Sequence, residues 1–231
     1  MAKWFEAKTC IDGRVKNMRG GLSIQTAVPL ADICYKTLLA DGVNARLAVE
    51  EKIGTPALER IVEANTLLSG LRFEASGLAA AHAIHNGLTT TQPTYRFLHD
   101  EKVAFGLFSQ SVLESQSRSV IDAVLNFAVD VGLPVILAGI SLDQLEEINL
   151  QVIADRFTTP EETIHNPTFE VLPDMAWLMP SWAPMRLNVI GKPCIKKLKK
   201  FSLKLPTKPS VAVQCRSVGV GRETHASNKL P

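Results

Sequence analysis

Through the first 175 residues, apolar positions recur every three or four places, the period of helices that bury one face. Leu30, Ile33, Cys34, Thr37, Leu38 and Asp41 follow this spacing and predict a buried stripe. Thr55-Pro56 supplies an N-cap and a proline at the first helical position, where a missing N–H costs nothing. Behind it, Leu58, Ile61, Val62, Asn65 and Leu68 fall on one face. Further helices are predicted from about Glu101 to Glu114 and from about Ser119 to Gly132, where Pro134 follows as a stop. Ser141-Leu-Asp-Gln144 has capping-box spacing and opens an amphipathic helix towards Arg156. Alternating strands and internal repeats are absent from the pattern, so the body is predicted to be all-α.

From about residue 176 the periodicity stops. The tail holds a Lys196-Lys197-Leu198-Lys199-Lys200 run, six of the thirteen prolines and a polar end. Such a segment buries too little apolar surface to offset its ordering entropy, so disorder is expected there. The chain therefore divides into a helical body, 1–175, and a tail, 176–231.

Charge sharpens this division. The formal net charge of +2 conceals 14 Lys/Arg against 22 Asp/Glu in residues 1–175, and 11 Lys/Arg against Glu223 alone in the rest. A basic tail is attracted to phosphate, but no aromatic interleaving or nucleic-acid fold accompanies it, so a specific nucleic-acid partner is not expected. Cys10, Cys34, Cys194 and Cys215 form no Cys-x-x-Cys pair, which speaks against a zinc knuckle or a disulfide framework and for a reducing compartment. The N-terminal Met1-Ala-Lys-Trp-Phe-Glu-Ala-Lys8 lacks a signal-peptide core. The longest apolar region, about Val120 to Leu142, is interrupted by Asp122, Asn126, Asp130 and the Gly132/Pro134 break, so no membrane span is expected. A cytoplasmic location follows as an expectation.

The chemistry concentrates in Gly77-Leu-Ala-Ala-Ala-His82-Ala-Ile-His85-Asn86-Gly87, followed by His99-Asp100-Glu101-Lys102. His82 and His85, three residues apart, occupy neighbouring positions of one helical face. His99 lies beyond a loop containing Pro93, at the start of the next helix. Ligands from adjacent helices can converge on one divalent metal. The competing reading is a set of core or boundary histidines hydrogen-bonded to backbone.

The blocks around these histidines carry a resemblance. Trp4-Phe5-Glu6-Ala7, Asn17-Met18-Arg19-Gly20-Gly21, Cys34-Tyr35-Lys36-Thr37-Leu38-Leu39, Thr55-Pro56-Ala57-Leu58-Glu59-Arg60, Glu63-Ala64-Asn65-Thr66, Leu68-Ser69-Gly70, Gly77 to Gly87, Glu101-Lys-Val-Ala-Phe-Gly106 and Glu162-Thr-Ile-His-Asn166 occur in this order. Together they closely resemble bacterial glycerol dehydrogenases, members of the metal-dependent, iron-type alcohol dehydrogenase superfamily. The resemblance runs from about residue 2 to residue 175. It implies the C-terminal helical domain of the dehydroquinate synthase-like fold, without the N-terminal α/β domain that binds NAD. It also implies zinc as the metal, with His82 and His99 as ligands and His85 beside the site. The reaction it implies is oxidation of glycerol, or a similar vicinal diol, to dihydroxyacetone by zinc-assisted hydride transfer to NAD. Two positions depart from the family pattern: Ser76 precedes Gly77, and Asp100 follows His99.

In relatives, an Asp ligand lies a couple of positions upstream of the segment matching Met1, and no strand-associated Gly-rich phosphate loop occurs in these residues. The expectation is a partial dehydrogenase, inactive by itself, with no cofactor-binding residue of its own. One alternative is a split enzyme whose NAD domain is a separate chain. Another is a non-catalytic helical interaction module with a basic tail. Intact family members are often homo-oligomers, which makes self-association a further expectation. After Asp174-Met175 the residues depart from the family's terminal helix, and reading the codons of 176–185 in another frame can restore its pattern. The tail is accordingly read as an out-of-frame translation.

Overall fold

A computed structural model describes residues 1–17, 19–142 and 147–171, with the backbone alone of 72–74 and 147–149. The readings made above for the tail, for Met18 and for the Asp143–Gln144 half of the capping box lie outside these residues. The described residues are helical, and the one β-type pairing among them is an isolated antiparallel bridge between Lys16 and Leu22. Eight α-helices follow in order: α1 (Ala2–Asp12), α2 (Ala27–Glu50), α3 (Pro56–Glu63), α4 (Ser69–Ala75), α5 (Ala80–Leu88), α6 (His99–Leu113), α7 (Arg118–Val131) and α8 (Glu147–Phe157). Among the described residues no helix is long and apolar enough to cross a membrane.

The start and stop signals act where the sequence places them. Thr55 accepts a hydrogen bond from Leu58 N at 3.2 Å, with Pro56 as the first residue of α3. Helix α7 starts slightly before the expected Ser119: Ser117 caps it through Val120 N at 3.4 Å. Gly132 ends α7 at φ +81°, the left-handed conformation that favours glycine. Between α3 and α4 the chain continues without a break through a π-helical turn at Ala64–Leu68.

The buried stripes differ in register from the pattern expected. On α2 the buried positions are Ala27, Ala31, Cys34, Gly42, Ala45 and Ala48, while Ile33 is exposed. On α3 and the π turn, Ala57 and Ala64 are buried whereas Val62 and Asn65 face out. Small side chains go inside because the helices approach closely. A Cβ added at Gly42 would stand 2.5 Å from Phe127 Cε2 of α7, and one at Gly87 2.7 Å from the Ile153 carbonyl oxygen of α8.

Two apolar clusters form the core. The larger joins Ile84 and Leu88 of α5 to Phe105 of α6, Ile153 and Phe157 of α8, and Ile140, Ile164 and Val171 of the connecting segments. The smaller joins Phe5 of α1 to Ala81, Val103, Leu107 and Val124. Helix α5 contributes to both, so its two faces are covered and its position is tightly determined.

Candidate metal centre

Helix α5 begins in an unusual way. Its preceding residue, Ala79, offers no side-chain cap, yet the first-turn N–H groups of any helix need acceptors. They find them on other helices. Glu6 of α1, fully buried between the buried Phe5 and Ala7, accepts from Ala79 N at 3.0 Å and from His82 N at 3.3 Å through Oε1. Gln110 Oε1 of α6 accepts from Ala81 N at 3.0 Å. The chain entering the helix is tied as well: Asn166 Nδ2 donates to Leu78 O at 2.8 Å and Thr163 Oγ1 to Ala79 O at 2.8 Å. A carboxylate at the helix N-terminus also meets the positive end of the dipole.

The same Glu6 oxygen lies 2.7 Å from His82 Nδ1. His82 is buried, at 7 % exposure. Helix α6 starts at His99, and Glu101 accepts from Leu98 N at 2.7 Å, which satisfies the amide just before the helix. Asp100, the departure from the family pattern, leaves the helix start regular. Its Oδ1 lies 2.8 Å from His99 Nδ1. Imidazole and carboxylate are both exposed, at 54 % and 94 % of their side-chain surfaces.

His85 is half-buried, with Nδ1 3.2 Å from Asn86 Oδ1. The Asn86 amide nitrogen donates to both carboxylate oxygens of Glu162, at 3.2 and 3.0 Å, so its oxygen is the atom that faces His85. Arg156 of α8 pairs with the same Glu162 carboxylate. Burial holds the His85 imidazole below its ordinary pKa; its hydrogen bond to Asn86 opposes this, and the charges of His99, Lys102 and His82 add to the lowering.

The structure brings the three expected histidines together. The rings of His82 and His99 have centroids 5.4 Å apart, and those of His85 and His99 4.4 Å. Each Nδ1 is engaged by an acceptor oxygen, from Glu6, Asn86 or Asp100 in turn. In a neutral ring whose Nδ1 donates to that oxygen, Nε2 is the nitrogen that carries the lone pair. Among the described residues no group of three or more His, Cys, Asp or Glu side chains is placed to hold a metal ion. Glu6, Gln110, Asn86 and Glu162 were not singled out from sequence. The one available signal was Glu6, a charge inside the apolar block Trp4-Phe5-Glu6-Ala7.

A further polar network lies behind the start of α5. Thr9 of α1 bonds Glu114 at the end of α6, and Gln110 Nε2 donates to Glu114 Oε1 at 2.7 Å. Burial pushes the Glu114 carboxyl above its ordinary pKa, against the pull of hydrogen bonds from Thr9, Gln110 and Gln116.

No family model matches the chain. Glycerol dehydrogenase of Thermotoga maritima is 52 % identical over 166 residues, covering 72 % of this chain and 46 % of the relative. Glycerol dehydrogenase of Citrobacter freundii is 48 % identical over 174 residues, covering 75 % of this chain and 48 % of the relative. Among solved structures, glycerol dehydrogenase from Schizosaccharomyces pombe superposes with a TM-score of 0.77 at 32 % identity, over 82 % of this chain and 50 % of that one. A probable glycerol dehydrogenase from Sinorhizobium meliloti 1021 superposes with a TM-score of 0.74 at 35 % identity, over 79 % and 52 %. Over about three quarters of its length the chain is thus homologous to glycerol dehydrogenases, and its fold fits their helical C-terminal domain. It spans about half the length of the relatives it matches.

Proposed function

We propose that these residues form the metal- and substrate-holding half of an NAD-dependent glycerol dehydrogenase, with His82 and His99 as two of the zinc ligands and His85 beside them. The observation that carries this reading is the meeting of the His82 and His99 rings, 5.4 Å between centroids, with both Nδ1 atoms engaged by carboxylates. Neutral imidazoles with Nε2 available and an oxygen behind Nδ1 are the donor chemistry that zinc takes, so the residues fit the metal in part. Zinc held by His82 and His99 would supply Lewis acidity toward a diol hydroxyl. Burial lowers the His85 pKa, which disfavours a positive charge on that ring. Glycerol or a similar vicinal diol is the substrate, and NAD the hydride acceptor held by a separate α/β segment.

On this reading the 231 residues by themselves do not oxidise glycerol. Two imidazoles hold zinc weakly, and hydride has no acceptor without a nucleotide site. The test is to purify the 231-residue chain, add zinc, NAD and glycerol, and follow NADH formation, alone and mixed with a separately expressed family NAD domain. No turnover alone, together with zinc-dependent perturbation of the His82 and His99 ring signals, is the expected result. Glycerol-dependent NADH formation by the chain alone would refute its dependence on a second segment. Zinc that leaves both rings unperturbed would refute the ligand assignment.

A further inference from the structure

One carboxylate oxygen does two jobs at the start of α5. Glu6 Oε1 accepts the backbone N–H groups of Ala79 and His82, at 3.0 and 3.3 Å, and stands 2.7 Å from the His82 ring. The backbone and side chain of His82 are therefore referenced to a single atom on a different helix. We propose that Glu6 is a positioning residue: it holds the His82 imidazole with the proton on Nδ1 and Nε2 presented, in a pose locked to the N-terminus of α5.

Three observations support this. The oxygen already receives two N–H donors, so it meets the ring as an acceptor, and Nδ1 must be the donor. Glu6 has no exposed surface and His82 very little, so water does not compete for either group. Helix α1 is itself fixed, because Phe5 is fully buried and Thr9 ties the same helix to Glu114 of α6. The contrast with His99 is informative. Its partner Asp100 is the next residue along and is almost wholly exposed, so that ring is not tied through it to another helix.

The inference rests on the metal reading only for its purpose; the proton position is testable without metal. The full chain, uniformly labelled with nitrogen-15, is examined by long-range proton–nitrogen correlation at pH 7.5 without metal, as wild type and as Glu6→Gln. Wild-type His82 is expected as the Nδ1–H tautomer. Glu6→Gln retains an oxygen for the helix start but loses the charge, so the helix content should persist while His82 becomes a mixture of tautomers. Titration with zinc chloride should then show a roughly 10–100-fold weaker response of the His82 ring in Glu6→Gln, the usual cost of losing an outer partner. An Nε2–H tautomer in the wild type overturns the proposal without any variant. So does a folded Glu6→Gln chain with the wild-type tautomer and zinc response, because Glu6 would then serve only as a helix cap. If the tautomers behave as expected but zinc moves neither His82 nor His99, Glu6 still positions the ring, and the metal reading fails instead.

Discussion

Gly106 of α6 lies directly against Ala81 of α5: a Cβ at Gly106 would stand 3.1 Å from Ala81 Cα and overlap its carbonyl oxygen. Both obstacles are backbone, so a side chain here cannot be accommodated by a rotamer change. This close approach sets the spacing between the helix that carries His82 and His85 and the one that begins with His99.

Gly106→Ala is accordingly expected to lower stability by about 3 kcal/mol, in the upper range of overpacking effects, measured by urea denaturation. It should also separate the two histidine-bearing helices and weaken the His85–His99 ring contact. Gly70 makes the opposite case. It sits exposed in α4 with nothing within 4 Å of an added Cβ. Gly70→Ala should raise stability by about 0.5–1 kcal/mol, because alanine loses less backbone entropy in a helix.

Thr55 carries the start of α3 with one hydrogen bond to Leu58 N. Thr55→Ala should cost about 1 kcal/mol, and Thr55→Ser should recover most of that, since the hydroxyl is the capping group. Thermal unfolding of the three proteins decides it.

The half-buried His85 makes stability depend on pH. Its folded pKa lies below the unfolded value near 6.5, so the unfolded chain binds the proton more readily. Stability is therefore expected to fall as pH drops through the unfolded value and towards the folded one, and to be unaffected by this group above it. Urea midpoints measured from pH 8 to pH 5 should show a slope that His85→Gln reduces. An unchanged slope would assign the pH dependence to other groups.

Glu114 works with the reverse sign. Burial raises its folded pKa, so the native state holds this proton more tightly than the unfolded chain does. Its contribution is fully present below the ordinary carboxylate value and is lost as pH rises through the raised one. Glu114→Gln, which removes the charge and keeps an acceptor for Thr9 and Gln110, should have a higher urea midpoint than wild type at pH 7. The difference should shrink towards pH 4.

Much of this fold was legible in the chain. Thr55-Pro56, and Gly132 followed by Pro134, mark helix ends by local chemistry, and α3 starts and α7 stops there. The faces were less legible. Leu30, Ile33 and Val62 carry the strongest hydrophobic signal, but Ala31, Cys34, Gly42, Ala57 and Ala64 carry much of the packing. Periodicity weighted by hydrophobicity follows large side chains, whereas closely approaching helices select small ones.

The sequence by itself determined that the described body is helical, where α3 starts and α7 stops, and that His82, His85 and His99 lie on successive helices. It also carried the family. The tertiary structure decided what stands behind His82 and what fixes the Asn86 amide beside His85. Glu6 is 76 residues from His82, and Glu162 is 76 residues from Asn86. No local rule links positions so far apart. Capping and periodicity act within a few residues along a helix, whereas the oxygen behind His82 arrives only when α1 packs across the start of α5.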